Sequence, residues 1–238
     1  MSLHIGTSGW AYEEWRPAFY PEGTPRRAFL SHYSSVLSGC EINATFYRLP
    51  SESTVKRWAD DTPEGFRFAV KAHRRLTHPA ELADTGWQDF LARFLDSLAP
   101  LGDRLGCILI QLPASRVRDD GLLADIIGSL PPGLAFACEF RHESWASPEV
   151  DGLLADGGGT RCVTETDGGP PPASLPPGPL TYVRLRGDRY TGATRDGWAA
   201  TLGEEAEARP VFAFARHKDV PAGDPETGVG LAEWMTSG

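Results

Sequence analysis

Glu41-Ile42-Asn43-Ala44-Thr45-Phe46-Tyr47-Arg48 is the stretch on which the fold turns. It opens like a buried strand and ends like a binding site. On an extended chain alternate residues share a face. Glu41, Asn43 and Thr45 therefore point one way and Ile42 and Ala44 the other, with Phe46 joining them if the strand runs that far. A strand with an apolar side for helices and a carboxylate and an amide on its opposite side needs polar partners inside the fold.

Working outward, apolar strand-like runs recur at 3–7, 40–45, 66–71, 106–112, 134–140, 160–165, 180–186 and 210–215. Helical patterns fill most of the intervals, and alternating strand and helix argue for a parallel sheet. Eight such units in 238 residues fit a single-domain (β/α)8 TIM-type barrel over 1–238, for which about 250 residues is typical. The rival is an open doubly wound sheet, which usually carries a glycine-rich phosphate turn after its first strand. Gly6-Thr7-Ser8-Gly9-Trp10 does not complete that spacing.

The intervals read as follows. Residues 9–23 hold Trp10, Tyr12, Trp15, Phe19 and Tyr20, either a loop that buries its own rings or a wall over the barrel mouth. Helices are predicted near 25–38 (Thr24 as N-cap, Pro25 at N1, Gly39 as the stop), 51–61 (Ser51 as N-cap), 87–99, 119–130 and 195–208, with one capped near Ser147 and Pro148 at its N1. A basic loop, Ala72-His73-Arg74-Arg75-Leu76-Thr77-His78-Pro79, follows the third strand. Between 167 and 179 there is too much proline for an ordinary helix, so the sixth helix is expected to be reduced to a loop. The tail, 224–238, has room for one short closing helix.

Composition is globular, with 41% hydrophobic and 23% charged residues. No apolar run reaches the ~18–20 residues of a membrane span, and the chain enters strand-like sequence directly, so no signal peptide and a cytoplasmic location are expected. Cys40, Cys107, Cys138 and Cys162 are widely spaced beside apolar runs and read as reduced, buried hydrophobes. A net charge of −9 disfavours a broad nucleic-acid-coating surface but leaves room for a local basic site.

In such a barrel the C-terminal strand ends and the loops after them form the active face. Strand two offers Glu41, Asn43 and Thr45, then Tyr47 and Arg48. Strand three offers Lys71, then His73 and His78; strand four, Gln111. Strand five offers Glu139 and Arg141 on one face, and strand seven Arg184 and Arg186. With Lys71, Arg141, Arg184 and Arg186 against Glu41 and Glu139, the inward strand positions are net positive in a net-negative protein. Burying unpaired charge is costly, so an anionic ligand is the simplest completion, and arginine forks suit oxyanions. A structural Arg–Glu network is the other way to close the account. Trp10, Tyr12, Tyr47 and Trp145 are expected to wall the pocket.

Other chemistries are less well supported. A metal centre needs converging His, Asp and Glu. Glu41, His78, Glu139, Glu165 and Asp167 are the candidates, but arginine and lysine neighbours would repel a cation, so no metal ligand and no cofactor are assigned. No Gly-x-Ser-x-Gly elbow occurs, and no base is evident beside Ser8. Glycosidase work by Glu41 and Glu139 needs one carboxyl kept protonated, which cationic neighbours oppose. Lys71 could form a Schiff base if its pKa were lowered, but nearby carboxylates are expected to hold it charged. His32 and His217 read as surface or core residues.

Five collinear motifs carry a resemblance: Ile5-Gly6-Thr7-Ser8-Gly9-Trp10, Glu41 to Arg48, Phe66 to Lys71 with Thr77-His78, Gln111-Leu112-Pro113, and Glu139-Phe140-Arg141-His142-Glu143-Ser144-Trp145. Over essentially its whole length the chain resembles the YecE-like family, domain-of-unknown-function family 72. The resemblance implies a TIM-type barrel of this size and supplies no established reaction. That fold is similar to endonuclease IV-like and xylose-isomerase-like barrels, and nucleic-acid binding has been suggested for the family by that analogy. The chain departs from the family pattern at Arg186, where His is frequent. It departs again at Phe214-Ala215-Arg216-His217-Lys218, where a polar pair usually ends the eighth strand. Both changes make the mouth more basic.

The expectation is a barrel that binds a phosphate- or carboxylate-bearing ligand at its mouth. Glu41, Glu139 and Lys71 are the candidate catalytic groups. Asn43, Thr45, Tyr47, Arg48, His78, Gln111, Arg141, Trp145, Arg184, Arg186, Trp10 and Tyr12 are the candidate ligand contacts. Two alternatives stay open. One is a nucleic-acid binder that uses Lys71 to Arg75, Arg48 and the aromatic loop; the other is a metal-dependent hydrolase or isomerase.

Overall fold

The computed structural model describes residues 2–78, 86–217 and 222–237. Pro79 of the basic loop and Lys218 lie outside them. Nine parallel strands alternate with helices in the order β1 (Leu3–Ser8), α1 (Phe29–Val36), β2 (Gly39–Ile42), α2 (Glu52–Asp60), β3 (Arg67–Lys71), α3 (Trp87–Leu98), β4 (Leu105–Leu112), α4 (Asp120–Ser129), β5 (Phe136–Phe140), α5 (Pro148–Asp156), β6 (Gly159–Arg161), β7 (Val163–Glu165), β8 (Thr181–Leu185), α6 (Gly192–Ala208), β9 (Val211–Ala215) and α7 (Gly228–Ser237). The sheet order is β6-β5-β4-β3-β2-β1-β9-β8-β7. Its two edges are consecutive pieces of one run, so the sheet curls into a nearly closed TIM-type barrel.

The ninth strand comes from the predicted run 160–165, which divides at Cys162. Before that residue the run pairs with β5 (Cys138 opposite Arg161) and after it with β8 (Thr164 opposite Arg184). The Cys162 amide still donates to the Cys138 carbonyl at 2.8 Å, so the partner changes without leaving that group unpaired. After β7 the proline-rich stretch forms no helix before β8, as its composition requires.

Side-chain caps set three of the helix starts. Ser51 Oγ accepts the Thr54 amide of α2, Asp119 Oδ1 accepts the Leu122 amide of α4, and Ser147 Oγ accepts the Val150 amide of α5 ahead of Pro148 at N1. The first helix differs from expectation. Thr24 caps nothing; a 3-10 turn, Arg26–Ala28, leads into α1, and Gly39 opens β2 instead of closing the helix. On α3, Phe90, Leu91, Phe94 and Leu98 recur at helical spacing and face the sheet; each buried side chain of this kind stabilises by about 2 kcal/mol.

Two apolar regions result. The larger lies between helices and strands. The smaller fills the barrel interior with Ala69, Cys107, Leu109, Ala137, Cys162, Tyr182, Phe212 and Phe214. All four cysteines are free and buried. By the strand period of two, the next inward positions toward the C-terminal end are Lys71, Gln111, Glu139 and Arg184. The apolar filling thus gives way to a charged layer.

Candidate functional site at the barrel mouth

Glu41 is the hub of that layer and is fully buried. Its Oε1 accepts from Ser8 Oγ at 2.6 Å, Asn43 Nδ2 at 3.0 Å, and Arg184 Nη2 and Arg186 Nη2 at 2.9 Å each; its Oε2 accepts from the Tyr182 hydroxyl at 2.8 Å. Arg186 Nη2 also donates to Ser8 Oγ at 2.7 Å. Arg184 bridges to the second carboxylate through Nη1 and Glu139 Oε2. Glu139 Oε2 also accepts from Gln111 Nε2 at 2.6 Å, and Gln111 Oε1 accepts from Lys71 Nζ at 2.8 Å. Six strands, β1 to β5 and β8, thus contribute to one chain of hydrogen bonds that runs across the barrel.

This network sets the charge states. Burial alone would raise the Glu41 pKa, but the Arg184 and Arg186 guanidiniums, with Ser8 and Asn43 donating, hold it well below the usual carboxylate range. Burial works against the Arg184 charge as well, yet Glu41 and Glu139 together push its pKa up. Lys71 moves the other way. Burial, then the Arg184 charge, push it down to about 8 against the pull of Glu139 and Glu41. Ser8 therefore does have a carboxylate beside it, contrary to the sequence reading. A carboxylate so firmly ionised is a hydrogen-bond acceptor and a poor base, and it cannot be the proton donor that a glycosidase pair requires.

Above the network lies a cleft of about 520 Å³. Trp10, Tyr12 and Trp58 supply its rings, and Ser8, Asn43, Arg184, Arg186, Arg216 and His217 its polar groups, with no carboxylate side chain in the lining among the described residues. Trp10 stands edge-on to Trp58 at 5.8 Å, and Tyr12 stacks on His217 at 4.2 Å. Two buried polar atoms of the network have no partner among the described residues: Asn43 Oδ1 and Arg184 Nε. Asn43 cannot satisfy its oxygen by flipping its amide, because Glu41 requires a donor.

The candidate residues divide clearly. Glu41, Asn43, Lys71, Gln111, Glu139, Arg184 and Arg186 come together in the network, and Trp10 and Tyr12 line the cleft. Several others stand elsewhere. The extended stretch stops at Ile42, and Ala44–Phe46 form a 3-10 turn. Thr45 is buried there and donates to the Lys71 and Ile42 carbonyls at 2.7 and 3.2 Å, which fastens the turn. Tyr47 is 74% exposed and Arg48 borders a separate outer depression. His78 packs beside Phe46 and Thr77. Trp145 is fully buried against Phe140 at 4.4 Å, and its ring nitrogen donates to the Arg116 carbonyl at 2.8 Å. It supports the mouth from below and does not wall the cleft.

Arg141 corrects the charge count. Its side chain is 55% exposed and lies 3.9 Å from Glu139, at the rim. The interior then holds Lys71, Arg184 and Arg186 against Glu41 and Glu139, an excess of one cation where two were expected. The basic loop does not form a single stripe, since Lys71 turns inward and Arg75 lies over the Phe90 ring at 4.5 Å. The aromatic loop divides its roles: Trp15, Phe19 and Tyr20 are buried, and Trp10 and Tyr12 remain at the cleft. Among the described residues, no three of His, Cys, Asp and Glu cluster as metal ligands.

Sequence reasoning missed Tyr182 and Trp58 as site residues; it set Arg216 in the basic mouth without making it a ligand contact and read His217 as a surface or core residue. Tyr182 precedes Arg184 by two positions on one strand, so the strand period already placed them on one face. Trp58 projects from a helix and carries no comparable signal.

Residues 4–235 match the family described as "Protein of unknown function DUF72". The chain belongs to this family. Among curated proteins it is 30% identical over 141 residues to UPF0759 protein YecE of Escherichia coli (strain K12), an alignment that covers 59% of this chain and 48% of that protein. It is 29% identical over 156 residues to UPF0759 protein YunF of Bacillus subtilis (strain 168), with 61% and 53% covered. The chain spans about half the length of the curated relatives it matches. Among solved structures, a DUF72 family protein from Thermotoga maritima MSB8 superposes with a TM-score of 0.75 at 23% identity, covering 99% of this chain and 97% of the other. One from Enterococcus faecalis V583 gives 0.73 at 16% identity, with 99% and 96% covered. At these identities the DUF72 structures speak to the fold alone, and they support the barrel. No helix among the described residues is long and apolar enough to cross a membrane.

Proposed function

We propose that this DUF72 protein binds a small anionic molecule, bearing a phosphate or carboxylate group and an apolar or ring-shaped body, in the cleft at the C-terminal mouth. One observation carries the reading: three arginines line a cleft in which, among the described residues, no carboxylate side chain takes part. Glu41 balances Arg184 and Arg186 from beneath, so these guanidiniums are held rigidly before any ligand arrives, which reduces the ordering cost of binding. Asn43 Oδ1 and Arg184 Nε offer an acceptor and a donor that none of the described residues uses. Trp10, Tyr12 and Trp58 supply apolar walls, and the volume suits a small ligand.

The test is a thermal-shift titration of the full chain with inorganic phosphate, sugar phosphates, nucleoside monophosphates and keto acids, since a ligand of the native state raises Tm. Phosphate- or carboxylate-bearing compounds are expected to raise Tm and their uncharged analogues to leave it unchanged. Arg216 is the arginine to remove, because its side chain is 52% exposed and its nearest carboxylate, Asp188, lies 3.8 Å away at the surface. Arg216→Ala is expected to weaken anion binding by roughly tenfold, or about 1.4 kcal/mol, while changing stability by less than about 0.5 kcal/mol. A screen in which no anion raises Tm, or a variant with unchanged affinity, overturns the proposal.

A further inference from the structure

Lys71 stands apart from the other charged groups of the network. Its ammonium meets no carboxylate at ion-pairing distance among the described residues. Nζ donates instead to a neutral amide oxygen, Gln111 Oε1 at 2.8 Å, and lies 4.2 Å from the centre of the Phe46 ring. Gln111 stands between Lys71 and Glu139, so the nearest negative charge on that side acts through an intervening amide. The charged network places the Arg184 guanidinium on the same inner face, and Arg184 borders the anion cleft.

A lysine that serves only as a counter-charge sits against a carboxylate, as Arg184 and Arg186 do. A half-buried amine with an uncharged acceptor and a cationic neighbour loses its proton more easily than an ordinary lysine, even though the face of the Phe46 ring favours the ammonium. The environment brings its pKa down to about 8. A sizeable share of free amine is then present at neutral pH, where an ordinary lysine, with a pKa of about 10.4, has almost none.

We propose that Lys71 is a carbonyl-reactive amine, one that forms an imine with an aldehyde or ketone whose anionic group is held by the cleft arginines. The choice of an anionic substrate rests on the function proposed above; the reactivity of Lys71 does not. The lone pair of neutral Nζ adds to the carbonyl carbon, a C–N bond forms and the C=O π pair moves to oxygen. A proton passes from nitrogen to that oxygen to give a carbinolamine. The C–O bond then breaks, water leaves with its electron pair after protonation of the hydroxyl, and loss of the remaining N–H proton completes the C=N bond. Amine and carbonyl give imine and water, with no oxidant or reductant required.

The sequence makes the test clean, because only three lysines occur: Lys56, Lys71 and Lys218. The full chain is exposed to pyridoxal 5′-phosphate or to uncharged pyridoxal, reduced with sodium cyanoborohydride, and mapped by peptide mass spectrometry. At pH 7 the Lys71 adduct is expected to form at least about tenfold faster than the adduct at Lys56, an exposed lysine paired with Asp60 at 3.3 Å. The Lys71 rate is expected to level off above about pH 8, while that of Lys56 keeps rising. Lys71→Arg, which keeps the charge, should lose only this adduct, with Tm recorded to establish folding. Labelling of Lys71 no faster than Lys56, or a rate that climbs with that of Lys56 through pH 10, overturns the proposal.

The two proposals fail separately. Equal reactivity with both aldehydes, undiminished by inorganic phosphate, keeps the reactive lysine and removes the anion site. Phosphate-dependent stabilisation with no Lys71 adduct does the reverse.

Discussion

The two ends of the barrel carry cavities of opposite character. The larger, about 890 Å³, lies at the N-terminal end between the strand starts, among Leu3, Leu105, Pro131, Leu134, Pro179 and Phe212. Its charge is slight. Arg67 spends a guanidinium nitrogen on the Glu64 and Phe66 carbonyls, and His4, stacked on Phe212 at 5.1 Å, has its pKa lowered by burial and by Arg67. The smaller cleft, about 520 Å³, lies over the charged network. Volume alone selects the first. The first holds one charged side chain, Arg67, and, among the described residues, one buried polar atom without a partner, His4 Nδ1; chemistry selects the second, because there three arginines and the unused atoms of Asn43 and Arg184 gather at one cleft.

This contrast can be broken most sharply at Arg184. Arg184→Met leaves Glu41 and Glu139 buried without their shared cation and is expected to cost about 3–5 kcal/mol in chemical denaturation. A cost below about 1 kcal/mol would mean that water reaches the network and that it is not the rigid base assumed here.

The next largest effect concerns pH. The Glu41 pKa is lower in the folded chain than its ordinary 4.5, so the native state binds fewer protons than the unfolded one and stability rises with pH. The contribution is fully present above the ordinary value and is lost as pH falls below it toward the depressed folded value. It is on the order of 2–3 kcal/mol for a buried carboxylate held in this way. Glu41→Gln should flatten the stability profile below about pH 4.5; a variant with an unchanged acid limb would assign that limb to other groups.

The smallest effect tests the opposite end. At Gly106 an added Cβ would come within 2.5 Å of the Phe212 ring and 3.1 Å of Arg67 Cβ. Gly106→Ala is therefore expected to destabilise by about 1–3 kcal/mol through overpacking and to leave phosphate binding at the mouth unchanged. If phosphate affinity fell with it, the two ends would be coupled and could not be treated as separate regions.

Much of this arrangement was legible beforehand. Eight apolar runs at barrel spacing predict the sheet, and the proline-rich interval after the sixth predicts its missing helix. The Glu41 face predicts an interior that needs cations. The misplacements of Thr45, Tyr47 and Arg141 share one cause: strand periodicity does not extend past the point where the strand has a neighbour. The last paired residue of β2 is Ile42, opposite Val70. Beyond it the chain turns, so Thr45 fastens carbonyls and Tyr47 faces solvent. Arg141 likewise follows the end of β5 at Phe140 and reaches the rim. The predicted sixth strand divided because barrel closure asks one run to pair with β5 on one side and β8 on the other, a demand no local pattern records.

The sequence by itself determined the barrel, every inward charge except the misplaced Arg141, and the positive sign of their imbalance, because alternation and turn chemistry are local properties. Only the tertiary structure decided which charge meets which. It gave Glu41 to Arg184, Arg186, Ser8, Asn43 and Tyr182, and it left Lys71 with an amide where a carboxylate had been expected. Those pairings join residues up to 145 positions apart. Their distances follow from the curvature and stagger of the closed sheet, which no single strand encodes.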